Sequence, residues 1–179
     1  MNIRMTSIAM TTALLCATLA STASAGLYRR IGEPVYDTIL TTHGFVHPFA
    51  GTLTPNSSHP GADLAYADLA EGYLERVDLP NADLSHTDLS EANMRFMDCT
   101  LANLQDATLM NAELTSVNMT GATLTGASLG GATLDGVIFY AASLAGMDLS
   151  SASLIGTNFE FANIQNADLT GRNLSLKRL

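Results

Sequence analysis

The stretch Gly121–Gly136 reads GATLTGASLGGATLDG and decides the fold, because a small residue, a polar residue and a leucine return in it every five residues. The same period runs through most of the chain. From Leu64 to Leu174 every fifth residue is Leu, Met, Cys, Phe or Ile, without a gap. Two residues earlier stands a small residue, usually Ala, and the residue between them is usually Asp, Asn, Ser or Thr. The backbone must therefore repeat every five residues.

A period of five suits neither regular element. In an α-helix five residues turn the chain by about 140° beyond a full circle, so the leucines would wind around every face. In a straight strand successive leucines would point to opposite sides. The leucines share one side if each piece is short and extended and the chain turns a corner after it. We therefore predict a coil whose leucines point at a common axis, with Gly121, Gly126, Gly131 and Gly136 at corners.

The irregular repeats indicate how many corners close one coil. At intervals of twenty residues the small residue, the leucine or both are replaced. The replaced pairs are Val77/Leu79, Met97/Cys99, Val117/Met119, Val137/Phe139 and Thr157/Phe159. Other exceptions, such as Thr87, Met94 and Met147, are scattered. A spacing of twenty stacks the irregular pairs on one face, so the sequence predicts a four-sided coil with five residues on each side.

This pattern resembles the pentapeptide-repeat proteins, whose repeat is Ala-(Asp/Asn)-Leu-x-x. The matching segments include ADLAYADL at 62–69, NADLSHTDL at 81–89, GATLTGASL at 121–129 and NADLTGRNL at 166–174. The resemblance covers residues 61–175, with twenty-three repeats in unbroken register. It implies an all-β fold, the right-handed quadrilateral parallel β-helix or pentapeptide-repeat solenoid. About six twenty-residue coils would give a rod roughly 28 Å long.

The beginning of the chain departs from the repeat. Residues 1–25 combine Arg4, an apolar run too short to span a bilayer and a small-residue site ending at Ala25, so we expect a signal peptide cleaved after Ala25. The mature chain would be exported to the periplasm or outside the cell, without a membrane span. Residues 26–60 do not repeat, and we expect a cap there. Val35–Thr42 would be a strand or a short helix over the first coil, and Thr54–Pro60 a loop.

The end of the chain offers a poorer cap. Arg172 stands on an inward position that is otherwise small, so we predict that the regular core ends near Gly171–Ser175. Residues 176–179 form only a short C-terminal tail. The open edge of the last coil suits a partner copy, and some members of the family dimerise end to end. We therefore expect a homodimer through the C-terminal end of the solenoid.

Charge and cysteine content narrow the classes of partner. Between Asp63 and Glu113 stand eleven acidic residues and two arginines, and residues 114–171 hold four acidic residues and no basic one. Such a surface repels nucleic acid and anionic membrane, so we expect neither as a partner. After cleavage Cys99 is the one cysteine left, which excludes an internal disulfide. Its leucine position favours a buried thiol over a reactive one.

No group of residues has the spacing of a catalytic or cofactor site. The Asp and Asn beside each leucine recur at nearly every repeat, whereas an active site is one special place. We predict that they accept hydrogen bonds from the turns. His43, His47 and His59 lack further ligands that would fix a geometry, so we predict no metal site. The sequence favours a protein that is not an enzyme and needs no cofactor.

Apolar residues on the outside are the candidate contact site. By register four of them point outward on or next to the irregular face. They are Ile138, Tyr140, Ile155 and Phe161. They form either a contact surface for a protein partner or part of a local bulge that tucks some of them inward. Nearer the N-terminus, residues twenty apart lie on neighbouring coils. This register predicts a Glu75–Arg95 ion pair and an Arg76–Phe96 cation–π contact.

Two functions remain open. The leading hypothesis is an exported, non-catalytic repeat scaffold with a structural or protein–protein interaction role. The alternative is an acidic DNA mimic that modulates DNA gyrase or another topoisomerase, because some members of the family resemble a duplex in size and charge and protect or inhibit gyrase. The acidic segment Asp63–Glu113 favours mimicry. The export signal disfavours it, since gyrase is cytoplasmic.

Overall fold

The backbone of residues 53–172 follows one repeating path. The computed structural model describes these residues and residues 40–41. The isolated β-bridges are all parallel and join residues twenty apart, from Ser58↔Asp78 to Asp148↔Asp168. The N–H of Leu64 donates to the carbonyl of Asp83 at 2.8 Å, and such bonds recur from coil to coil. The predicted four-sided coil is confirmed, and the fold is a right-handed quadrilateral parallel β-helix.

Each described corner except the one at Ser151 is a four-residue turn whose third residue is left-handed. The N–H of Ala67 donates to the carbonyl of Leu64 at 3.0 Å, and Tyr66 between them has a φ of 62°. A positive φ at this position is the mark of a type II turn. Gly126 takes it as predicted, with a φ of 78°, but so does Phe96 with a φ of 60°. A left-handed conformation costs a residue other than glycine about 1–2 kcal/mol, so the bonds between coils must offset that cost at many corners.

The interior is a column of leucines and small residues. Leu64, Leu84 and Leu104, one coil apart, are fully buried. On the predicted irregular side the rings of Phe139 and Phe159 stack with centroids 5.5 Å apart. We call this side the irregular face. Its outward central residues are Ser58, Asp78, Asp98, Asn118, Ile138 and Asn158.

Two exceptions to the small-residue rule have a structural reason. Thr87 and Thr157 are buried on inward positions, and their hydroxyls donate to the carbonyls of Leu64 at 2.8 Å and Leu134 at 2.9 Å. A buried hydroxyl is tolerated when it is hydrogen-bonded. Threonine therefore replaces alanine without leaving an unpaired polar group in the core.

The first coil is covered at its outer edge. Strand β1, Leu40–Thr41, pairs antiparallel with strand β2, Ala67–Asp68. This strand lies within the segment predicted to cover the first coil. We call the side of the rod that contains β2 the β2 face. Its other central residues are Asp88, Thr108, Ser128, Asp148 and Asp168.

The expected loop at Thr54–Pro60 is wrong. Asn56 takes the corner conformation with a φ of 64°, and Ser58 forms a parallel bridge with Asp78. The repeating backbone therefore begins upstream of Gly61. The segment lacks the Ala-Leu signature, but a corner needs only a residue that tolerates the left-handed region, and asparagine is one of these. Leu53, just before it, is buried with 1% exposure and closes the core from below.

The ladder has one interruption within residues 53–172. No bridge joins Ser128 to Asp148 on the β2 face, although both residues pair on their other sides. At the next corner, Ser151 lacks the positive φ of the other described corners, and its hydroxyl accepts the N–H of Gly131 at 3.2 Å. Met147 occupies the inward position here, where the coils before and after have alanine. The missing bridge and the Ser151 corner together mark a local departure from the repeat.

Several predictions fall outside the described residues. They are the signal peptide at 1–25, most of the 26–60 segment, His43, His47 and the tail at 176–179. Among the residues that the structure describes, no helix has the length and apolarity needed to cross a bilayer.

Candidate interaction surface

The four predicted outward residues are all exposed. Ile155 and Phe161 are 71% and 72% exposed, and Ile138 and Tyr140 are 39% and 40% exposed. They stand in a register that sends the neighbouring leucine positions inward, so the regular backbone itself directs them to solvent. A bulge does not tuck any of them away.

These residues lie on one part of the rod, which we call the apolar patch. Ile138 is the central residue of the irregular face in its coil. The ring of Tyr140, at the corner that follows, meets the ring of Phe161 edge-on with centroids 5.3 Å apart. Ile155 stands at the opposite corner of the same face, one coil later. The patch thus has an aromatic rim on one side, an isoleucine on the other and Ile138 between them.

Carboxylates border the apolar patch. Asp135 accepts hydrogen bonds through Oδ1 from the Ser153 hydroxyl at 2.5 Å and from the Ile155 N–H at 3.0 Å. Glu160 directly precedes Phe161. Two coils back on the irregular face, Asp98 accepts the N–H and hydroxyl of Thr100 through Oδ1. Residues 96–171 contain no lysine, arginine or histidine, and the next cation is Arg172, whose Nη1 donates to the carbonyl of Ala152 at 3.0 Å.

A second exposed aromatic residue is already partnered by cations. Phe96 lies under two guanidinium groups, with Arg76 at 4.7 Å and Arg95 at 5.4 Å from the ring centroid. The predicted Arg76–Phe96 contact is confirmed. The predicted Glu75–Arg95 ion pair is wrong, because the Glu75 carboxylate lies 2.6 Å from Arg76. Arg95 instead lies 3.5 Å from the Glu113 carboxylate.

The outward Asp and Asn residues stabilise the turns. In repeat after repeat the carboxylate or amide oxygen accepts the N–H two residues later, as in Asp83 with Ser85 at 3.0 Å and Asn118 with Thr120 at 3.1 Å. Asp148 also accepts the Ser150 hydroxyl, and the two bonds hold its pKa below the ordinary 3.8. These contacts confirm the predicted structural role and set no aspartate apart as an acid or a base.

The Cys99 thiol and the His59 imidazole are two side chains outside the carboxylates that could react or bind a metal. Cys99 is fully buried, and burial raises the pKa of its thiol to about 12, which favours the predicted inert role. His59 hydrogen-bonds through Nε2 to the Ser57 hydroxyl at 2.8 Å. Within the part of the chain that the structure describes, no three His, Cys, Asp or Glu residues come together as a metal site.

Other exposed apolar residues were not predicted as sites. Tyr66 stacks on His86 with ring centroids 4.6 Å apart, and Met110 is 47% exposed on the far side of the rod from the apolar patch. Both stand at corners, where the repeat rule leaves the side chain free to vary. The pentapeptide pattern alone therefore gives no signal for either one.

Comparison with known proteins places the repeat in a family. The model of the pentapeptide repeats matches in eight copies over residues 61–95, 102–139 and 139–171, more than half of the chain. No curated protein sequence matches the chain.

Solved structures with similarity to the chain are also pentapeptide repeat proteins or resistance proteins. Rfr23 from the cyanobacterium Cyanothece 51142 is 20% identical over 69% of this chain and 88% of its own, with a TM-score of 0.42. QnrB1, a plasmid-mediated fluoroquinolone resistance protein, is 17% identical over 74% and 72%, with a TM-score of 0.42. HetL from the cyanobacterium Nostoc sp. strain PCC 7120, involved in heterocyst differentiation regulation, is 27% identical over 70% and 84%, with a TM-score of 0.34. On the family match, this chain belongs to the pentapeptide-repeat proteins.

Proposed function

We propose that the protein is an exported, non-catalytic scaffold that binds another protein through the apolar patch. One observation carries the proposal: Ile138, Tyr140, Ile155 and Phe161 are exposed together on a backbone that the ladder holds in place. A backbone that is already rigid loses little entropy when a partner covers its apolar side chains, so less of the burial energy is spent on ordering the chain. The aspartates are hydrogen-bonded to turn N–H groups and Cys99 is buried, so neither group favours a catalytic role over the scaffold role.

The test is site-specific photocrosslinking in the cells that express the protein. A photoreactive residue at Ile155 or at Phe161 should give one reproducible adduct, while the same residue at Met110 should not. Cell fractionation with N-terminal sequencing tests the export, and the mature protein should begin at Gly26 in the exported fraction. A cytosolic, uncleaved protein, or equal labelling from all three positions, would contradict the proposal.

The partly buried inward residues of the last described coil support a homodimer as part of this proposal. Ala162, Ile164 and Leu169 occupy inward positions in the last described coil but are only partly buried. A second copy placed end to end would cover them. Light scattering of the purified protein should then give the dimer mass, and Leu169→Asp should shift it to the monomer, whereas Met110→Asp should not.

DNA mimicry remains the alternative, and one observation favours it. Carboxylates follow one another at the strand spacing, since Asp63 bridges Asp83 and Asp78 bridges Asp98. A gyrase supercoiling assay with the purified protein separates the two functions. The scaffold proposal expects no change in supercoiling, and inhibition that disappears in Asp78→Asn/Asp98→Asn would favour mimicry.

A further inference from the structure

The irregular face cannot bind a partner by adding a strand. Its backbone groups are already paired within the rod. Ile138 N–H donates to Val117 at 3.0 Å, Phe139 N–H to Asn158 at 2.8 Å and Asn158 N–H to Val137 at 2.9 Å. Addition of a strand needs an unpaired row of N–H and C=O groups. A partner on this side must therefore bind through side chains alone, and an α-helix, whose backbone is paired internally, meets that condition.

The charges around the apolar patch select the chemistry of that helix. Glu160 and Asp135 border the patch, and residues 96–171 contain no basic side chain. Asp98 lies farther along the same face, three residues after Arg95, which is already paired with Glu113 and stacked on Phe96. Asp98 and Asp135 accept their internal hydrogen bonds through Oδ1, so the second oxygen of each carboxylate can pair with a cation of the partner. A second copy of this acidic face would be repelled, as would any acidic segment.

The spacing along the rod suits helical geometry. Ile138 and Asp98 are the central residues of coils two apart, a separation of roughly 9.6 Å at the usual strand spacing. Seven residues of an α-helix advance about 10.5 Å and return to the same side of the helix. One helix laid along the rod can thus place apolar side chains on the patch and a basic side chain two turns away on Asp98.

From these steps we infer that the irregular face binds a cationic amphipathic helix of a partner protein. The apolar side chains of the helix cover Ile138, Tyr140, Ile155 and Phe161, and its lysine or arginine residues pair with Asp98, Asp135 and Glu160. The inference rests on the proposed function and adds the class of partner.

The test uses two fluorescent synthetic peptides and the full chain. Both are amphipathic helices of about 18 residues, or five turns, with leucines on one side. One carries arginines beside the leucines and the other carries glutamates at the same positions. Fluorescence anisotropy should show saturable binding of the arginine peptide, weaker at high salt, and binding of the glutamate peptide at least about tenfold weaker.

Matched variants locate the binding. Phe161→Ser and Ile155→Ser should each weaken the arginine peptide by about tenfold or more, whereas Met110→Ser, an exposed apolar residue elsewhere, should not. Asp98→Asn keeps the internal acceptor oxygen, so it should reduce both affinity and salt dependence without unfolding the coil. Asp88→Asn on the β2 face is its control.

The outcomes separate this inference from the proposed function. If the two peptides bind equally, or if Met110→Ser weakens binding as much as Phe161→Ser, the inference is wrong. Crosslinks from Phe161 in cells combined with no preference for the arginine peptide would overturn the helix chemistry and leave the scaffold function standing. If neither Ile155 nor Phe161 gives a crosslink in cells, the proposed scaffold function is wrong as well.

Discussion

The two ends of the rod are built from the same repeat but are closed differently. At the N-terminal end Leu53 is 1% exposed, Leu64 and Leu69 are buried, and β1 pairs with the edge of β2. At the C-terminal end Ile164 and Leu169 occupy the same inward positions and are only partly buried. A coil is stabilised by both of its neighbours, so an end coil whose inward residues stay partly exposed lacks some of the contacts of a central coil. Repeats of the same pattern therefore differ in stability according to the coil or strand that packs against them.

Local unfolding at either end should not reach the middle of the rod, and the reactivity of the buried Cys99 thiol measures this. In a Cys16→Ser background a thiol reagent at about pH 8 should label native Cys99 at least a thousandfold more slowly than the urea-unfolded chain, because only global opening exposes it. The pKa of the thiol is raised by burial from 9.0 to about 12. The stability that this proton confers is complete below pH 9 and is lost as the pH rises toward 12. Rapid labelling at neutral pH would mean that fraying reaches the centre.

Truncating one leucine at each end measures the difference directly. Leu53→Ala should lower the free energy of unfolding by about 2–4 kcal/mol, as is usual for a buried leucine. Leu169→Ala should cost about 1 kcal/mol or less, because part of its surface is already exposed. Urea unfolding of the full chain gives both values, with fully buried Leu109→Ala as the reference. Equal losses at Leu53 and Leu169 would show that the C-terminal end is covered in solution.

Hydrogen exchange sharpens the comparison without mutation. The N–H of Leu64 donates to Asp83 and the N–H of Asp168 donates to Met147, both at 2.8 Å, so bond length does not distinguish the two amides. Their positions do, and Asp168 should exchange at least about tenfold faster, a difference of about 1.4 kcal/mol in local opening. If an end-to-end dimer forms, the difference should shrink as protein concentration rises. Faster exchange at Leu64 than at Asp168 would mean that the N-terminal end is the less stable one.

The sequence predicted the coil because five-residue periodicity and the twenty-residue recurrence of Val137/Phe139-type pairs are geometric constraints. It predicted the exposure of Ile155 and Phe161 for the same reason, since register fixes direction. It missed the early start at Asn56, because corner geometry does not require the Ala-Leu signature. It also predicted the wrong partner for Glu75, because the interaction energies of a long surface side chain with its alternative charged neighbours differ by less than about 1 kcal/mol.

The smallest expected effect compares two aspartates at equivalent positions on the β2 face. Burial raises the pKa of Asp68, the Ala70 N–H bond opposes this, and the Asp88 charge adds to the rise. The Thr170 hydroxyl and N–H lower the pKa of Asp168. Ionised Asp68 therefore opposes folding at neutral pH, while ionised Asp168 favours it. Asp68→Asn should raise the urea midpoint at pH 7 and Asp168→Asn should lower it.

Acid should remove both differences, because each carboxyl is then protonated in the folded and unfolded chains. The Asp68 effect should disappear once the pH falls below its ordinary 3.8, where its stabilising proton is fully bound in both states. The Asp168 effect should persist lower, until the pH passes its depressed pKa, so urea midpoints at about pH 2 test both. Asparagine keeps the oxygen that accepts the turn N–H, which confines the change to charge. Shifts of the same sign at pH 7 would mean that the two ends place these carboxyls in equivalent surroundings.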